Sequence, residues 1–452
     1  MDETRTYLCI DLKSFYASVE CADRGLDPFT TNLAVADPDR TDKTICLAIT
    51  PAMKALGVRN RCRVFEIPEG IPYIKAKPRM RRYMEVSADI YGIYLRYVAP
   101  EDIHVYSIDE CFIDATPYLA LYDTAPKAFA QTLMAAVMEE THICATAGIG
   151  TNLFLAKVAL DITAKHAPDN IGILDEASFR KKIWFHRPIT DIWNIGPGIA
   201  RRLASHGVHD LAGVAAMNPQ ILYREFGKNA EYLIDHAWGQ EPCTIAEIKA
   251  YRPEGRSVTN GQVLPCDYSF PEARDVMREM VDSSVLELVE NGLACDRISL
   301  DIGYARMAMP QQASDRQTPE GRIGDGKGFP ASGPLRSAGK FEGHTGGSRK
   351  LDRCTNSQRY LMGKFCELFD ETTSRRIPVR RIAIGFSGLV GEEFSTFTLF
   401  DDIEADEQER SLQEAIVTVR GRFGKNAMLK GTSLKEKATA MERNEQVGGH
   451  HA

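Results

Sequence analysis

The feature that most constrains this chain is Val105-Tyr106-Ser107-Ile108-Asp109-Glu110-Cys111-Phe112-Ile113-Asp114, a short apolar run with two adjacent carboxylates at its centre. Val, Tyr, Ile and Phe on both sides of a Ser-Ile-Asp-Glu break predict a β-hairpin that presents Asp109 and Glu110 at or near its turn. Two like charges so close repel, and each loses hydration if the hairpin packs into a core, so the pair wants a cation. A second run, Thr6-Tyr7-Leu8-Cys9-Ile10-Asp11-Leu12, reads as another buried strand carrying one more carboxylate, just before a helix start at Ser14. If the two strands are neighbours, Asp11, Asp109 and Glu110 meet on one rim as an all-oxygen site suited to Mg²⁺. Two-metal phosphoryl transfer uses such a site, with cations roughly 3.5–4 Å apart holding the attacking and leaving oxygens. Taken alone, the pair is more simply a solvated surface turn.

At 452 residues the chain should hold several domains, since single cores stop growing near roughly 250–300 residues. With 44% hydrophobic and 26% charged residues it has the composition of an ordinary soluble protein. No run is long and apolar enough to span a bilayer, and Met1 to Arg5 has no leader-like pattern, so a cytoplasmic protein is expected. Eleven cysteines are scattered without a Cys-x-x-Cys pair, which indicates neither a zinc site nor a disulfide framework. The net charge of −7 argues mildly against nucleic acid. That balance is uneven, with acids gathered between Asp401 and Glu407 and arginines grouped at 79–82, 201–202, 375–376 and 380–381.

The carboxylates sit in a specific setting. Asp11-Leu12-Lys13-Ser14-Phe15-Tyr16-Ala17-Ser18-Val19-Glu20, followed by Tyr106-Ser107-Ile108-Asp109-Glu110, resembles the Y-family, UmuC/DinB-like translesion DNA polymerases, and within them the Gram-positive UmuC-like members. Gly148-Ile149-Gly150-Thr151-Asn152-Leu153-Phe154-Leu155-Ala156-Lys157 is similar to a further family motif, G-I-x-x-N-x-x-x-A-K. The resemblance implies a multidomain α+β fold, a right-hand polymerase with palm, small fingers, helix-hairpin-helix thumb and an α+β little finger domain. In these terms residues 1–26 and 79–174 are palm, 27–78 fingers, 175–242 thumb, 253–400 little finger with a mobile insertion near 311–350, and 401–452 a tail.

It also implies roles. Asp11, Asp109, Glu110 and the Leu12 carbonyl would hold two Mg²⁺ ions. Phe15 and Tyr16 would line the nucleotide, with Tyr16 as the steric gate against a 2′-hydroxyl, although both are equally read as core aromatics. In the fingers many members carry Tyr and Arg on the triphosphate. Here Pro51 and Lys54 stand in those places, which keeps one positive charge. Lys157, in the first turns of its helix, would join Lys54 on the phosphates, with the helix dipole behind it.

Farther on, Ile192-Trp193-Asn194-Ile195-Gly196-Pro197-Gly198-Ile199-Ala200-Arg201-Arg202-Leu203 resembles the thumb's helix-hairpin-helix, which offers backbone N–H groups to a DNA phosphate. Asn194 replaces the first glycine, and Asn visits positive φ more readily than most residues. Asn194, Gly196, Gly198 and Arg201 there, and Arg256, Arg380 and Arg381 in the little finger, are the expected DNA contacts. Phe394 to Phe400 ends in Phe-Thr-Leu-Phe, similar to the peptide that docks bacterial polymerases on a sliding clamp. Thr396, Leu399 and Phe400 are its anchors, or else this is the last strand of the domain. The partners implied are primer-template DNA, deoxynucleoside triphosphates and the clamp, for a monomer working in DNA repair and damage tolerance. A non-catalytic DNA-binding or clamp-docking protein and a palm-type nucleotide cyclase are the alternatives.

Overall fold

The computed structural model describes residues 5–253, 255–305, 343–397 and 402–451. The chain divides into two compact units, residues 1–252 with the last three residues, and residues 253–449.

The first unit starts with β1 (Tyr7–Leu12) and α1 (Phe15–Ala22). A small three-stranded sheet follows from β2 (Leu33–Val35), β3 (Ala48–Ile49) and β4 (Ile74–Ala76), with α2 (Pro51–Ala55) between the last two. The chain then returns through α3 (Met80–Tyr94), β5 (Ile103–Val105), β6 (Glu110–Asp114), α4 (Thr116–Leu121), α5 (Pro126–Thr141), β7 (Ala145–Gly150), α6 (Leu153–Val158) and β8 (Ile171–Leu174). These strands make a sheet in the order β5-β6-β1-β7-β8, so the strand made first lies at its centre.

Period-2 alternation along β1 sends Leu8, Ile10 and Leu12 to one face, where they join Tyr83, Ile90, Phe129 and Leu133 of α3 and α5 in the largest core of this unit. Tyr7, Cys9 and Asp11 point the other way. The sequence pattern predicts helices on one face only, whereas α6 lies on this second face, where Leu153, Ala156 and Leu160 pack on Tyr7, Cys9 and Phe112. Two glycines of β7 make that approach possible. A Cβ on Gly148 would stand 2.1 Å from the Ala156 carbonyl oxygen, and one on Gly150 would stand 2.2 Å from the Ala156 nitrogen. α6 is short, giving way to a wider π turn over residues 159–163 and a tight turn over 164–166.

The rest of the unit is helical: α7 (Glu176–Lys182), α8 (Pro197–Ser205), α9 (Leu211–Ala216), α10 (Pro219–Phe226), α11 (Ala230–Trp238) and α12 (Ile245–Ala250). Most of these helices surround a core of their own, built on Phe179, Ile192, Leu203, Leu211, Leu222 and Leu233.

The second unit repeats strand, helix, strand twice: β9 (Ser257–Tyr268), α13 (Phe270–Glu290), β10 (Leu293–Tyr304), then β11 (His344–Thr355), α14 (Gln358–Thr372), β12 (Val379–Ser387). The antiparallel order is β11-β10-β12-β9, and α13 and α14 bury Ile298, Leu300, Ile302, Ile382, Ile384 and Phe386 from one face. Residues 344–350, expected within a mobile insertion, are the first half of β11. Their Gly/Ser content hides the strand, yet Gly346 at φ 126° sits where a Cβ would meet the Leu300 carbonyl oxygen at 2.1 Å. Rather than a separate tail, the segment from Asp402 belongs to this unit. α15 (Ile403–Phe423) pairs Asp406 with Arg353 at 2.7 Å, and beyond it Lys430 and Lys435 pair with Asp282 and Asp275 of α13. α16 (Ala440–Asn444) follows directly after Thr439, whose amide bonds the buried Glu279 of α13.

Gly148→Ala should cost about 3 kcal/mol, the upper end for overpacking, because backbone rather than a flexible side chain must give way. Denaturant melts of the full chain check this, and an unchanged midpoint would mean that α6 rides higher on the sheet.

Candidate active site

β1 lies between β6 and β7 with Asp11 directly opposite Glu110 on one side and Thr146 on the other. Cross-strand neighbours share a face, so Asp11 and Glu110 stand in one row. Asp109 comes one residue earlier, at the end of the four-residue turn 106–109 that closes the hairpin between Val105 and Glu110. This turn is held from three sides. The Leu12 amide donates to the Asp109 carbonyl at 2.9 Å, the Ser107 hydroxyl donates to Asp109 Oδ1 at 2.6 Å, and Ser87 Oγ of α3 donates to the Ile108 carbonyl at 2.6 Å.

The electrostatics follow from that crowding. Burial first, then Asp109 and Glu110, push the Asp11 carboxyl up to about 7, with Lys157 opposing. Near neutrality Asp11 is therefore short of positive charge. Glu110 is not. Its two oxygens lie 2.8 and 3.0 Å from Lys157 Nζ, and the Cys9 thiol donates to Oε1 at 3.1 Å. Among the described residues no group of three or more His, Cys, Asp or Glu side chains is placed to hold a metal ion. The donors fit a hard divalent cation nonetheless, being carboxylate and carbonyl oxygens around an acid whose charge is uncompensated.

Lys157, expected to face a phosphate from an early turn of its helix, is in the last turn of a six-residue helix and is buried against Glu110 and Asp161. A different group of lysines gathers beside Asp11. Lys54 Nζ donates to Ser14 Oγ at 2.8 Å. Its pKa is lowered by partial desolvation, with Asp11 opposing and Lys165 and Lys13 adding to the shift. Sequence reasoning missed Lys13 and Lys165. Lys13 stood inside the first motif, two residues past Asp11, and was legible there, whereas Lys165 follows the π turn and no regular helical spacing would have aligned it. Ser14 is not a helix cap, because it takes φ 50° and its side chain makes no cap bond. Its hydroxyl serves Lys54 instead.

The two aromatics after Ser14 separate. Phe15 is buried in the core at 2% exposure and is not available to a nucleotide. Tyr16 is half-buried and stacks on Tyr83, ring centroids 4.5 Å apart and 16° from parallel. Burial and then Asp109 raise its hydroxyl's pKa, which places Tyr16 beside the carboxylate turn, with Arg61 of the 27–78 segment opposing.

In the helical part, Asn194 takes φ 67°, the left-handed backbone that its place in the motif calls for, and Gly196 precedes Pro197 at the start of α8. Neither Gly196 nor Gly198 is required by close packing. Arg201 is exposed, whereas Arg202 donates to the Glu225 carbonyl and lies over Phe226. Trp193 reaches back to the carboxylate turn, its Nε1 donating to Tyr106 Oη at 3.1 Å.

In the second unit the face of the sheet away from α13 and α14 carries small and hydroxyl residues with a few cations and one acid, Asp301. Arg381 is on it. Arg380 is drawn toward Asp267 at 3.6 Å, and Arg256 lies just before β9. Arg297 and Lys350, opposite each other on β10 and β11, share the face with Arg381 and were missed because β11 was not recognised. Thr396 is bonded to β11, its amide to the Cys354 carbonyl and its Oγ1 from the Cys354 amide, although residues 395–397 form no strand. Leu399 and Phe400 lie outside the described residues.

The chain is similar to known proteins over most of its length. Residues 10–161 match the impB/mucB/samB family and residues 256–399 the C-terminal domain of the same family. "DNA polymerase IV 2" of Bacillus subtilis (strain 168) is 28% identical over 459 residues, covering 100% of both chains. "DNA repair protein homolog YozK" of the same organism is 40% identical over 103 residues, 23% of this chain and 90% of the relative. Among solved structures, a "Y-family DNA polymerase chimera Dbh-Dpo4(243-245)-Dbh" shares the fold with a TM-score of 0.59 at 17% identity, over 85% of this chain and 99% of that one. On these matches, and with the carboxylate row inside the first of them, the chain belongs to the impB/mucB/samB family of UmuC/DinB-like, Y-family DNA polymerases.

Proposed function

We propose that this protein is a template-directed DNA polymerase that adds deoxynucleotides from triphosphates to a primer 3′ end and carries synthesis past damaged template bases. The observation that carries the reading is the row of Asp11 and Glu110 with Asp109 at its end, on the rim of a sheet and next to three lysines. In this reading Asp11, Asp109, Glu110 and the Leu12 carbonyl hold two Mg²⁺ ions. When bound, the ions neutralise charge on the reacting phosphate and make the primer 3′-hydroxyl more acidic.

The chain's own residues do the rest. Lys54, Lys13 and Lys165 present positive charge to the β- and γ-phosphates, and a lysine whose pKa is already lowered gains most from an anion. Tyr16, backed by Tyr83, forms the wall against which the sugar sits, so a 2′-hydroxyl would collide with its ring. The backbone around Asn194 to Gly198 with Arg201, and the open strand face with Arg297, Lys350 and Arg381, take DNA phosphates. Directly opposed like charges such as Arg297 and Lys350 destabilise a sheet unless an anion lies between them. Fingers built on a core as small as that of Ala34, Ile49, Met53 and Val64 leave the nascent pair loosely enclosed, which favours lesion tolerance over accuracy. Docking on a sliding clamp through Leu399 and Phe400 is part of the proposal and rests on the Phe-Thr-Leu-Phe sequence alone.

A palm-type cyclase has no use for the second unit's basic strand face, and a scaffold has no use for an acid crowded into a pKa near 7. Primer extension on undamaged and abasic templates decides between them. The wild type should extend both, and an Asp109→Ala, Glu110→Ala double variant neither. Tyr16→Ala should raise the ratio of ribonucleotide to deoxynucleotide insertion by about a hundredfold, some 2.7 kcal/mol of lost discrimination, and an unchanged ratio refutes the gate. Because the folded pKa of Asp11 lies above its ordinary 3.8, the folded state binds the extra proton, so metal-free stability should fall as pH rises from 4 to 7. Asp11→Asn should flatten that slope in thermal melts, and saturating Mg²⁺ should do the same.

A further inference from the structure

We infer that Lys157 is the standing counter-ion and positioning residue of Glu110, holding that carboxylate in the row whether or not a divalent cation is present, and that it is no part of the phosphate-binding group. The inference rests on the reading of Asp11, Asp109 and Glu110 as metal ligands. Its basis is the enclosure of the ammonium. Lys157 is 8% exposed, and its Nζ meets both oxygens of Glu110 on one side, at 2.8 and 3.0 Å, and both of Asp161 on another, at 3.1 and 3.2 Å. The Tyr106 ring, 5.9 Å away, lies on a third. An ammonium has three donors, and two carboxylates and a ring leave no open side for a triphosphate.

The contrast with Lys54 decides which lysine belongs to which task. Lys54 is exposed, bonded to a neutral hydroxyl, and short of negative charge. Lys157 is buried, with two carboxylates already on its ammonium. An incoming phosphate stabilises the first and has little to offer the second. Placement follows from the fold. Glycines at 148 and 150 let α6 lie against the sheet, and the same face carries Cys9, whose thiol fixes the oxygen of Glu110 that Lys157 also binds. Glu110 is thus oriented by the protein, whereas Asp11 has no such partner among the described residues.

The test uses the full chain as wild type, Lys157→Gln, Glu110→Gln and the double variant. It reads melting in EDTA and in Mn²⁺, Mn²⁺ binding by electron paramagnetic resonance, and steady-state insertion of one deoxynucleotide. Lys157→Gln should melt several degrees lower in EDTA and recover most of the difference in Mn²⁺, because the metal replaces the missing cation. A merely structural partner would lose the same amount in both. Its kcat should fall about tenfold with the deoxynucleotide KM within about twofold of wild type. The double variant, which removes the stranded carboxylate, should melt above Lys157→Gln. A tenfold rise in KM with kcat and melting unchanged would make Lys157 a phosphate ligand and overturn the inference, as would losses that add in the double variant. If Mn²⁺ neither binds to nor stabilises the wild type, the metal-site reading fails, and the double-variant melt still decides the pairing.

Discussion

Repulsion among carboxylates brought together on one rim is the constraint on which this structure turns. The ladder puts Asp11 opposite Glu110 and the hairpin turn brings Asp109 alongside, so folding itself concentrates negative charge in a half-buried place. The neighbourhood answers it unevenly. Glu110 receives a buried ammonium and a thiol, the Asp109 carboxylate is bonded by Ser107, and Asp11 is left crowded enough that its pKa lies near 7. Much of the local architecture exists to arrange that imbalance: the glycine floor under α6, the Ser87 tether from α3, and the left-handed Ser14 that turns its hydroxyl to Lys54.

How much of this was legible depended on the kind of information each residue carried. The short apolar runs Tyr7 to Leu12 and Glu110 to Asp114 mark both strands, and a strand's period of two then assigns each side chain a face, so once the strands pair the row is determined. Helical residues are different. The spacing of Leu153 to Lys157 tells which side of α6 Lys157 occupies, but not which face of the sheet the helix covers, and that face decides whether its ammonium meets a phosphate or a carboxylate. Phe15 and Tyr16 pose a similar problem, since adjacent positions of a helix point about 100° apart and only packing shows that the first is core and the second faces the rim. β11 was hidden by composition. A His-Thr-Gly-Gly-Ser run looks like a linker, and it becomes a strand because β10 offers an edge against which glycine is the residue that fits.

The two units solve related problems with opposite surfaces. In the first, a sheet with helices on both sides leaves only a rim, where a few charges are held at fixed spacing. In the second, helices on one side leave a whole face of short side chains, suited to a long polymer whose charges repeat. Trp193 ties the two tasks together within the first unit. It precedes the left-handed Asn194 before α8 and donates to Tyr106 of the carboxylate turn, so a shift in either turn is felt by the other.

The central position of β1 has a consequence for how the molecule is made. Tyr7 to Leu12 is made well before its partners, since β6 and β7 begin about a hundred and about a hundred and forty residues later. Until then a strand of six mostly apolar residues has both hydrogen-bonding edges open, and small or local folding units cannot satisfy it. Pairings this far apart in sequence are slow to form and leave nascent chains prone to association. The emerging polypeptide is therefore one whose yield should depend on how quickly residues 103–150 follow, and on whether a holdase shields the first strand in the interval.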